Sequence, residues 1–272
     1  MKKSLISRDI DAFYTKASEE NRLEKGMGIF EFERIKQLIS RYLKKDTITV
    51  IDVGGGTGKY SEWLAKKGHH VVLVEPINKH LALAQKRSDK LKNKFTVVKG
   101  AAQQLEIKSN TADLVLLHGP LYHLQKEQDR LEAIAEAKRV LKKGGIVLAF
   151  AINHAASTVA GLMQGLLHKK PFFDMCKQEL TTGIHTPPSE YPWLLAEAYY
   201  HKPSQLKKEF LSQNFQIESL VAVEGIIWLD KDYFTNMLDS KKNKTLTELL
   251  QITEANEELL AYSPHMLLVA KK

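Results

Sequence analysis

The residues best suited to chemistry are Asp52-Val53-Gly54-Gly55-Gly56-Thr57-Gly58, followed 17 positions later by the acidic Glu75. An apolar, β-branched run, Ile48-Thr49-Val50-Ile51, precedes the glycines, and an amphipathic stretch from Lys59 to Lys67 follows them. This order predicts a strand, a glycine-rich turn and a helix N-terminus, the place where an α/β sheet holds a nucleotide-like cofactor. Two common forms of such a site fail on spacing. A dinucleotide fingerprint, G-x-G-x-x-G, begun at Gly54 needs its third glycine where Lys59 stands, which sets an NAD oxidoreductase aside. A P-loop ending at Gly58-Lys59 needs glycine in place of Val53 and Ser or Thr in place of Tyr60. The bland alternative is a tight turn with no ligand, but clustered glycine is costly unless backbone must be approached closely. Glu75 ends a second apolar run, His70-Val71-Val72-Leu73-Val74, where a carboxylate can accept both hydroxyls of a ribose.

A second cluster, His118-Gly119-Pro120-Leu121-Tyr122-His123, follows the apolar run from Ala112 to Leu117. It should project from the carboxyl edge of the sheet, where open α/β sheets place their ligands. His118 then lies nearest the cofactor, and Tyr122 and His123, one turn on, face an acceptor. An unperturbed His123 titrates near neutrality and could act as a general base, or it could simply bond to neighbouring backbone.

The elements that must position these residues alternate. Strands are expected at 47–53, 70–74, 95–99, 112–117 and 146–152, with helices at 58–67, 78–91 and 126–141, the last closing at Lys142-Lys143-Gly144-Gly145. Such alternation predicts an α/β protein with a parallel sheet and helices on both faces. Before it, residues 8–44 read as two helices, Arg8 to Glu24 and Ile29 to Leu43. After it the rhythm breaks. Residues 154–200 hold Gly and Pro breakers and six aromatics, Phe172, Phe173, Tyr191, Trp193, Tyr199 and Tyr200. A helix capped by Ser204, a strand at 215–223, an irregular or helical piece at 230–260 and a strand at 265–270 complete the chain. The division expected is a helical cover (1–46), a cofactor-binding core (47–153), a lid insertion (154–202) and a C-terminal part of the core (203–272) with a second insertion at about 230–260.

With 272 residues the chain is one large domain or a core with an inserted subdomain. No apolar run approaches the length of a membrane span and no export signal follows Met1, so a cytoplasmic location is expected. A single cysteine, Cys176, excludes an internal disulfide framework and multi-cysteine zinc sites. His154, His168, His185 and His201 lack ligand spacing, so no metal is expected. The formal charge of +8 and pI near 9.3 raise nucleic acid as a partner. Its distribution weakens that reading: residues 59–108 hold eleven Lys/Arg against four Asp/Glu, whereas residues 154–200 hold three against four. The excess thus reads as a solvated helix face, with an RNA-binding patch as the minority view.

The pattern D-x-G-x-G-x-G over Asp52 to Gly58 resembles motif I of class I S-adenosylmethionine (SAM) methyltransferases. Three more stretches match: Phe95-Thr96-Val97-Val98-Lys99-Gly100-Ala101-Ala102, Ala112 through Leu124, and Arg139-Val140-Leu141-Lys142-Lys143-Gly144-Gly145. The resemblance covers about residues 10–153 and 200–272. It implies a Rossmann-like, doubly wound, seven-stranded, mostly parallel sheet with an antiparallel last strand, plus helical lid insertions, and SAM as cofactor. It further implies that Asp52, Gly54, Gly56 and Gly58 form the cofactor loop, that Glu75 holds the ribose and that Pro76 and Ile77 face the adenine. Ala101 stands where the family commonly has Asp, so adenine recognition passes to backbone at Ala101-Ala102 or to Gln103. Tyr14 and Arg22 fall where a cover over the cofactor is expected, with Arg22 able to pair the methionyl carboxylate.

Methyl transfer is an in-line displacement that needs an acceptor about 3 Å from the methyl carbon and a base where the acceptor carries a proton. The N-P-P-[Y/F] signature of many base-amino methyltransferases is absent at Gly119-Pro120-Leu121-Tyr122, and no cysteine is present there for a covalent adduct. His185, Trp193, Tyr199 and Tyr200 are the lid residues expected at the substrate, although about half of the lid aromatics should form its own small core. The function read from this chain is methylation of a small, partly apolar or aromatic acceptor at O, N or C. Alternatives are an RNA or protein methyltransferase using the basic face, and a SAM-binding protein without transferase activity.

Overall fold

A strand with apolar side chains on both faces must be covered on both, and β1 (Thr49–Val53) is buried from Val50 onward, Asp52 included. The computed structural model describes residues 6–16, 23, 26–43 and 46–272. The further strands are β2 (His70–Glu75), β3 (Thr96–Lys99), β4 (Ala112–Leu117), β5 (Leu141–Ile152), the two-residue β6 (Ile184–His185) and β7 (Ala198–Tyr199), β8 (Gln216–Ala222) and β9 (His265–Lys271). Seven of them form one sheet in the order β3-β2-β1-β4-β5-β9-β8. β9 runs antiparallel to both of its neighbours, and the pairings among β1 to β5 are parallel. The expected Rossmann-like sheet with an antiparallel last strand is therefore the observed one. The chain order reverses between β1 and β4, which opens a crevice at their carboxyl ends.

Alternate residues of each strand enter opposite cores. Ile51, Val53, Val115 and Leu117 pack with Ile134 and Ala137 of α6 (Glu127–Val140) and Phe210 of α9 (Pro203–Ser212). Val50, Leu114 and Leu116 pack on the other face with Ile35 and Ile39 of α2 (Met27–Ser40), Leu64 of α3 (Lys59–Lys66) and Ala84 of α4 (Asn78–Asp89). α1 (Arg8–Lys16) precedes this core; of the helix expected to Glu24, residues 17–22 and 24, Arg22 among them, lie outside the described residues. The short α5 (Pro120–His123) follows β4.

Two boundaries differ from expectation. Residues 142–145 are part of β5 rather than a turn before it, with a register shift between the pairs Ala112–Leu141 and Leu114–Ile146. Gly144, at φ 77°, lets the extended chain bend there. Ser204 does not cap α9. Lys202 is the N-cap and its N–H donates to Gln205 Oε1 at 3.3 Å, while Pro203 takes the first helical position, where a missing N–H costs nothing.

After β5 the chain leaves the sheet as α7 (Ala156–Met163), α8 (Lys170–Thr182) and the β6–β7 ribbon. Phe172, Met175 and Cys176 form a small core there with Tyr191 and Leu194. Between β8 and β9, α10 (Tyr233–Leu238) and α11 (Ser240–Thr253) enclose Ile227, Trp228, Tyr233 and Leu250. Among the described residues no helix is long and apolar enough to cross a membrane.

A buried ionic group ties α6 to α9. Arg130 donates from Nε and Nη2 to Glu209 Oε1 at 2.9 and 2.7 Å, and its Nη1 serves the carbonyls of Leu124 and Gln125. Its guanidinium lies 3.7 Å from the Tyr199 ring centroid, and His201 Nε2 is 3.3 Å from Glu209 Oε2. Burial alone would push the Glu209 carboxyl up, but the hydrogen bonds from His201 and Arg130 hold it below its ordinary range. Removing one member of such a group leaves a buried charge uncompensated. Arg130→Met is therefore expected to cost about 3–5 kcal/mol of stability in urea unfolding; a loss under about 1 kcal/mol, the scale of a surface pair, would show the group to be dispensable.

Candidate active site

The crevice at the carboxyl edge widens into a cavity of about 540 Å³. Its cofactor end is made by the turn after β1. Gly54 sits at φ 77°, and a Cβ there would lie 2.7 Å from the His118 carbonyl oxygen and 2.8 Å from Pro120 Cδ. Only glycine lets the end of β1 pass so close to the end of β4. The Gly56 N–H donates to Glu75 Oε2 at 3.0 Å and the Ile77 N–H to Oε1 at 3.0 Å, with His80 Nδ1 3.3 Å from Oε1. Glu75 thus clamps the glycine turn to the end of β2 while lining the cavity. Pro76, Ile77, Ala101, Ala102 and Gln103 continue that wall.

Two motif residues act beneath the turn and do not line the cavity. Asp52 is fully buried, its Oδ2 accepts from Ser61 Oγ at 2.7 Å, and burial pushes its carboxyl up to about 6. Gly58 is the left-handed N-cap of α3, and a Cβ there would press on Phe95 at 3.1 Å and Ala84 at 3.3 Å. Asp52 and Gly58 therefore correct the expectation of direct cofactor contact: they shape the loop and seat the helix.

The β4 cluster divides similarly. His118 lines the cavity with its ring between Tyr60, 4.9 Å away, and Phe150, stacked at 4.5 Å. Tyr122 also lines it, edge-on to His123 at 4.7 Å. His123 Nε2 is 2.8 Å from the Tyr14 hydroxyl, and Tyr14 packs edge-on to His80 and His123 at 5.2 and 5.3 Å. Desolvation under this cover, with His80 adding to it, pushes the His123 ring down to about 3. The expectation of a base titrating near neutrality is thus corrected: His123 is neutral and anchors the α1 cover through Tyr14.

The far end is largely apolar, with Ser157 and Gln164 as polar exceptions. Phe150 and Ile152 from β5, Ala156 and Ala160 from α7, Leu195 and Tyr200 from the lid, and Trp228 from the segment after β8 form its walls. Burial pushes the Tyr200 hydroxyl well above its ordinary range, so it remains protonated. The other three lid residues do not line the cavity. His185 lies behind Tyr200, stacked at 4.7 Å, with Nδ1 2.6 Å from Glu179 Oε1 and Nε2 2.9 Å from the Leu195 carbonyl. Tyr199 is held under Arg130, and Trp193 is 68% exposed, edge-on to Tyr191. Sequence reasoning had no signal for their direction, because a two-residue ribbon turns alternate side chains to opposite sides.

Residues missed at sequence level include Glu31, Phe150, Trp228 and His265, all lining the cavity. For His265 a signal existed: it opens a strand antiparallel to β5, and the first residue of such a strand lies at the carboxyl edge of the parallel strands. Among the described residues no group of three or more His, Cys, Asp or Glu could hold a metal ion.

A methyltransferase-domain family model matches residues 51–149. An uncharacterized methyltransferase of Bacillus cytotoxicus is 29% identical over 118 residues, 43% of this chain and 53% of the relative. The chain spans about half the length of the curated relatives it matches. A SAM-dependent methyltransferase from Methanosarcina mazei superposes with a TM-score of 0.61 at 17% identity, over 86% of this chain and 96% of that one. A possible histamine N-methyltransferase from Thermotoga maritima gives 0.58 at 16% identity, over 97% and 98%. The family match implies SAM as the cofactor, and the cradle fits it. Main chain at Gly54 and Gly56 comes within reach of a bulky ligand, Glu75 offers carboxylate oxygens to a ribose, and Pro76 and Ile77 give an adenine an apolar face.

Glu75→Ala is expected to weaken SAM binding by about 1–3 kcal/mol in calorimetry, through lost charged hydrogen bonds and a loosened Gly56 turn; unchanged affinity would remove Glu75 from the ribose. Because His123 is held at about 3 in the fold against an ordinary 6.5, the unfolded chain binds more protons between those values. Stability is then lost as pH falls from 6.5 toward 3, and His123→Asn should flatten that slope in melting curves recorded against pH. An identical slope in the variant would show that the ring does not titrate as its enclosure requires.

Proposed function

We propose that this chain, whose residues 51–149 match a methyltransferase-domain family model, transfers a methyl group from SAM to a small, partly apolar or aromatic acceptor. The observation that carries this reading is the continuity of one cavity from the glycine turn after β1 to the apolar chamber under the lid. When bound, SAM supplies an electrophilic methyl carbon on a sulfonium centre. The residues of the chain do the rest. Glu75 and the turn fix the adenosyl half, Tyr14 and His123 hold a cover over it, and the lid with Trp228 keeps water from the acceptor end.

The size and lining support a small molecule: about 540 Å³ must hold both partners, and the acceptor walls are mostly aliphatic and aromatic, with Ser157 and Gln164 among them. The distribution of charge points the same way. Of the eleven Lys/Arg between 59 and 108, Lys59 lines the cavity and the others do not. Arg87 is engaged by Glu62 and the Thr57 carbonyl, and Lys99 by Asn78. That most of these cations do not line the cavity favours a small acceptor over RNA or protein.

Calorimetry with SAM and its demethylated product S-adenosylhomocysteine, then methyl-labelled SAM with a metabolite extract, tRNA and peptides in parallel, tests the reading. Label is expected in apolar small molecules. Label in tRNA or peptide alone would replace the acceptor class, and tight SAM binding with no transfer anywhere would make the protein a non-catalytic binder.

A further inference from the structure

We propose that the hairpin tip between α7 and α8 docks on the surface of an anionic lipid bilayer, so that the acceptor chamber opens toward lipid and takes an acceptor dissolved there. The docking goes beyond the methyltransferase reading; the route of the acceptor rests on it.

α7 ends at Met163 and α8 begins at Lys170, and the chain between them turns through Gly165, at φ 69°, and a single 3-10 turn, Leu166–His168. The two helices close on each other just inside this tip, where a Cβ on Gly161 would lie 2.5 Å from the Phe172 ring. Side chains that point inward there join the small lid core of Phe172, Met175 and Cys176. Those that point outward are also apolar: Leu162 is 66% exposed, Met163 46% and Phe173 50%. The exposed Trp193 stands at the same end, because Tyr191 meets Phe172 edge-on at 5.4 Å and meets Trp193 edge-on at 5.4 Å. A single exposed apolar side chain is ordinary on a protein surface, but a cluster around one tip marks a place of contact.

Charge and position select the partner. From Leu162 to Phe173 the chain holds Lys169 and Lys170 and neither Asp nor Glu. The outward stripe of α8 reads Lys170, Phe173, Lys177 and Leu180, at helical spacing, so cations alternate with exposed apolar side chains. Lys170 pairs with Asp174, but both side chains are exposed and such a pair is weak. Glu179 of the same helix is buried against Ser157 and His185 and adds nothing to this surface. Apolar side chains that enter the head-group layer, flanked by lysines that meet anionic lipid, are what holds an interfacial helix on a bilayer. Among the described residues no helix could span it, so the tip lies at head-group level, about 5–10 Å deep. The chamber adjoins the same patch. Gln164, exposed and next to Met163, and Leu195, just past Trp193, both line the cavity. The two segments that carry exposed apolar groups outside therefore wall the chamber inside. An acceptor apolar enough for that chamber partitions into lipid, and through this mouth it reaches SAM without crossing water.

The test is flotation of the full chain with vesicles, in the absence of SAM and acceptor. Vesicles of equal parts phosphatidylcholine and phosphatidylglycerol should carry the protein at low salt, and vesicles of phosphatidylcholine alone should carry about tenfold less. Raising the salt should release it. Leu162→Ser combined with Phe173→Ser should lower binding about tenfold, and so should Lys169→Glu combined with Lys170→Glu. All four side chains are exposed, so thermal melting of these variants should match wild type. Lys86→Glu combined with Lys90→Glu, on the exposed face of α4, should leave binding unchanged. Tryptophan emission should shift to the blue on the mixed vesicles, and Trp193→Phe should remove that shift. Failure to float with the mixed vesicles overturns the docking, as does full binding by either tip variant or loss of binding in the α4 variant. A dimer in sedimentation velocity that Leu162→Ser with Phe173→Ser dissolves, without flotation, gives the tip to a second copy and also overturns it. Calorimetry with S-adenosylhomocysteine separates the levels. Flotation without S-adenosylhomocysteine binding keeps the docking and removes the methyltransferase reading with the acceptor's route; the reverse result removes the docking alone.

Discussion

The Glu75 carboxylate spans two strands' ends, taking the Gly56 N–H on one oxygen and the Ile77 N–H on the other. A glycine-rich turn has many conformations available, and holding one of them costs entropy that these charge-assisted hydrogen bonds offset. With the turn held, Gly54 can lie against the His118 carbonyl and Pro120, bringing the ends of β1 and β4 together. The crevice, the position of His118 and the start of α5 all follow from that contact. Beneath it, Asp52 and Ser61 fill the space under the turn, and a Cβ on Gly55 would meet Asp52 Oδ2 at 2.6 Å. The motif is therefore as much a packing solution as a binding one.

Around this centre the lid and the C-terminal elements are joined to the core by buried polar groups. Arg130, Glu209 and His201 join α6, α9 and the chain returning from the lid. Within the lid, Glu179 Oε1 takes both Ser157 Oγ at 3.0 Å and His185 Nδ1. Both ring nitrogens of His185 face oxygen atoms, which fixes the orientation of the ring. Such groups are expensive to bury and add little net stability, but they admit few alternative arrangements. Tyr200, stacked on His185, is presented to the chamber by that network.

The histidines show how far identity and role can separate. His123 and His265 are chemically identical and both line the cavity. One is enclosed by Tyr14 and His80 and is kept neutral; the other has the buried Glu224 carboxylate behind it. The difference lies in what packs behind each ring, not in the ring or in its neighbours along the chain. His185 is a third case, a lid residue turned inward by its bonds to Glu179 and the Leu195 carbonyl.

The alternation of β-branched runs with amphipathic segments determined the strands, the helices of the core and the parallel sheet, because burial on both faces demands that pattern within each segment. The spacing of Gly54, Gly56, Gly58 and Glu75 likewise determined where the cofactor turn lies, since its hydrogen bonds are nearly local. Tertiary structure alone decided which residues meet across long stretches of chain: Tyr14 with His123, Arg130 with Glu209, Glu224 with His265. It also decided that Tyr200 faces the chamber while Tyr199 and Trp193 do not. The physical reason is that a side chain's direction in a short ribbon, and the protonation of a ring, are set by the elements packed against it, and that packing exists only once the whole sheet has formed.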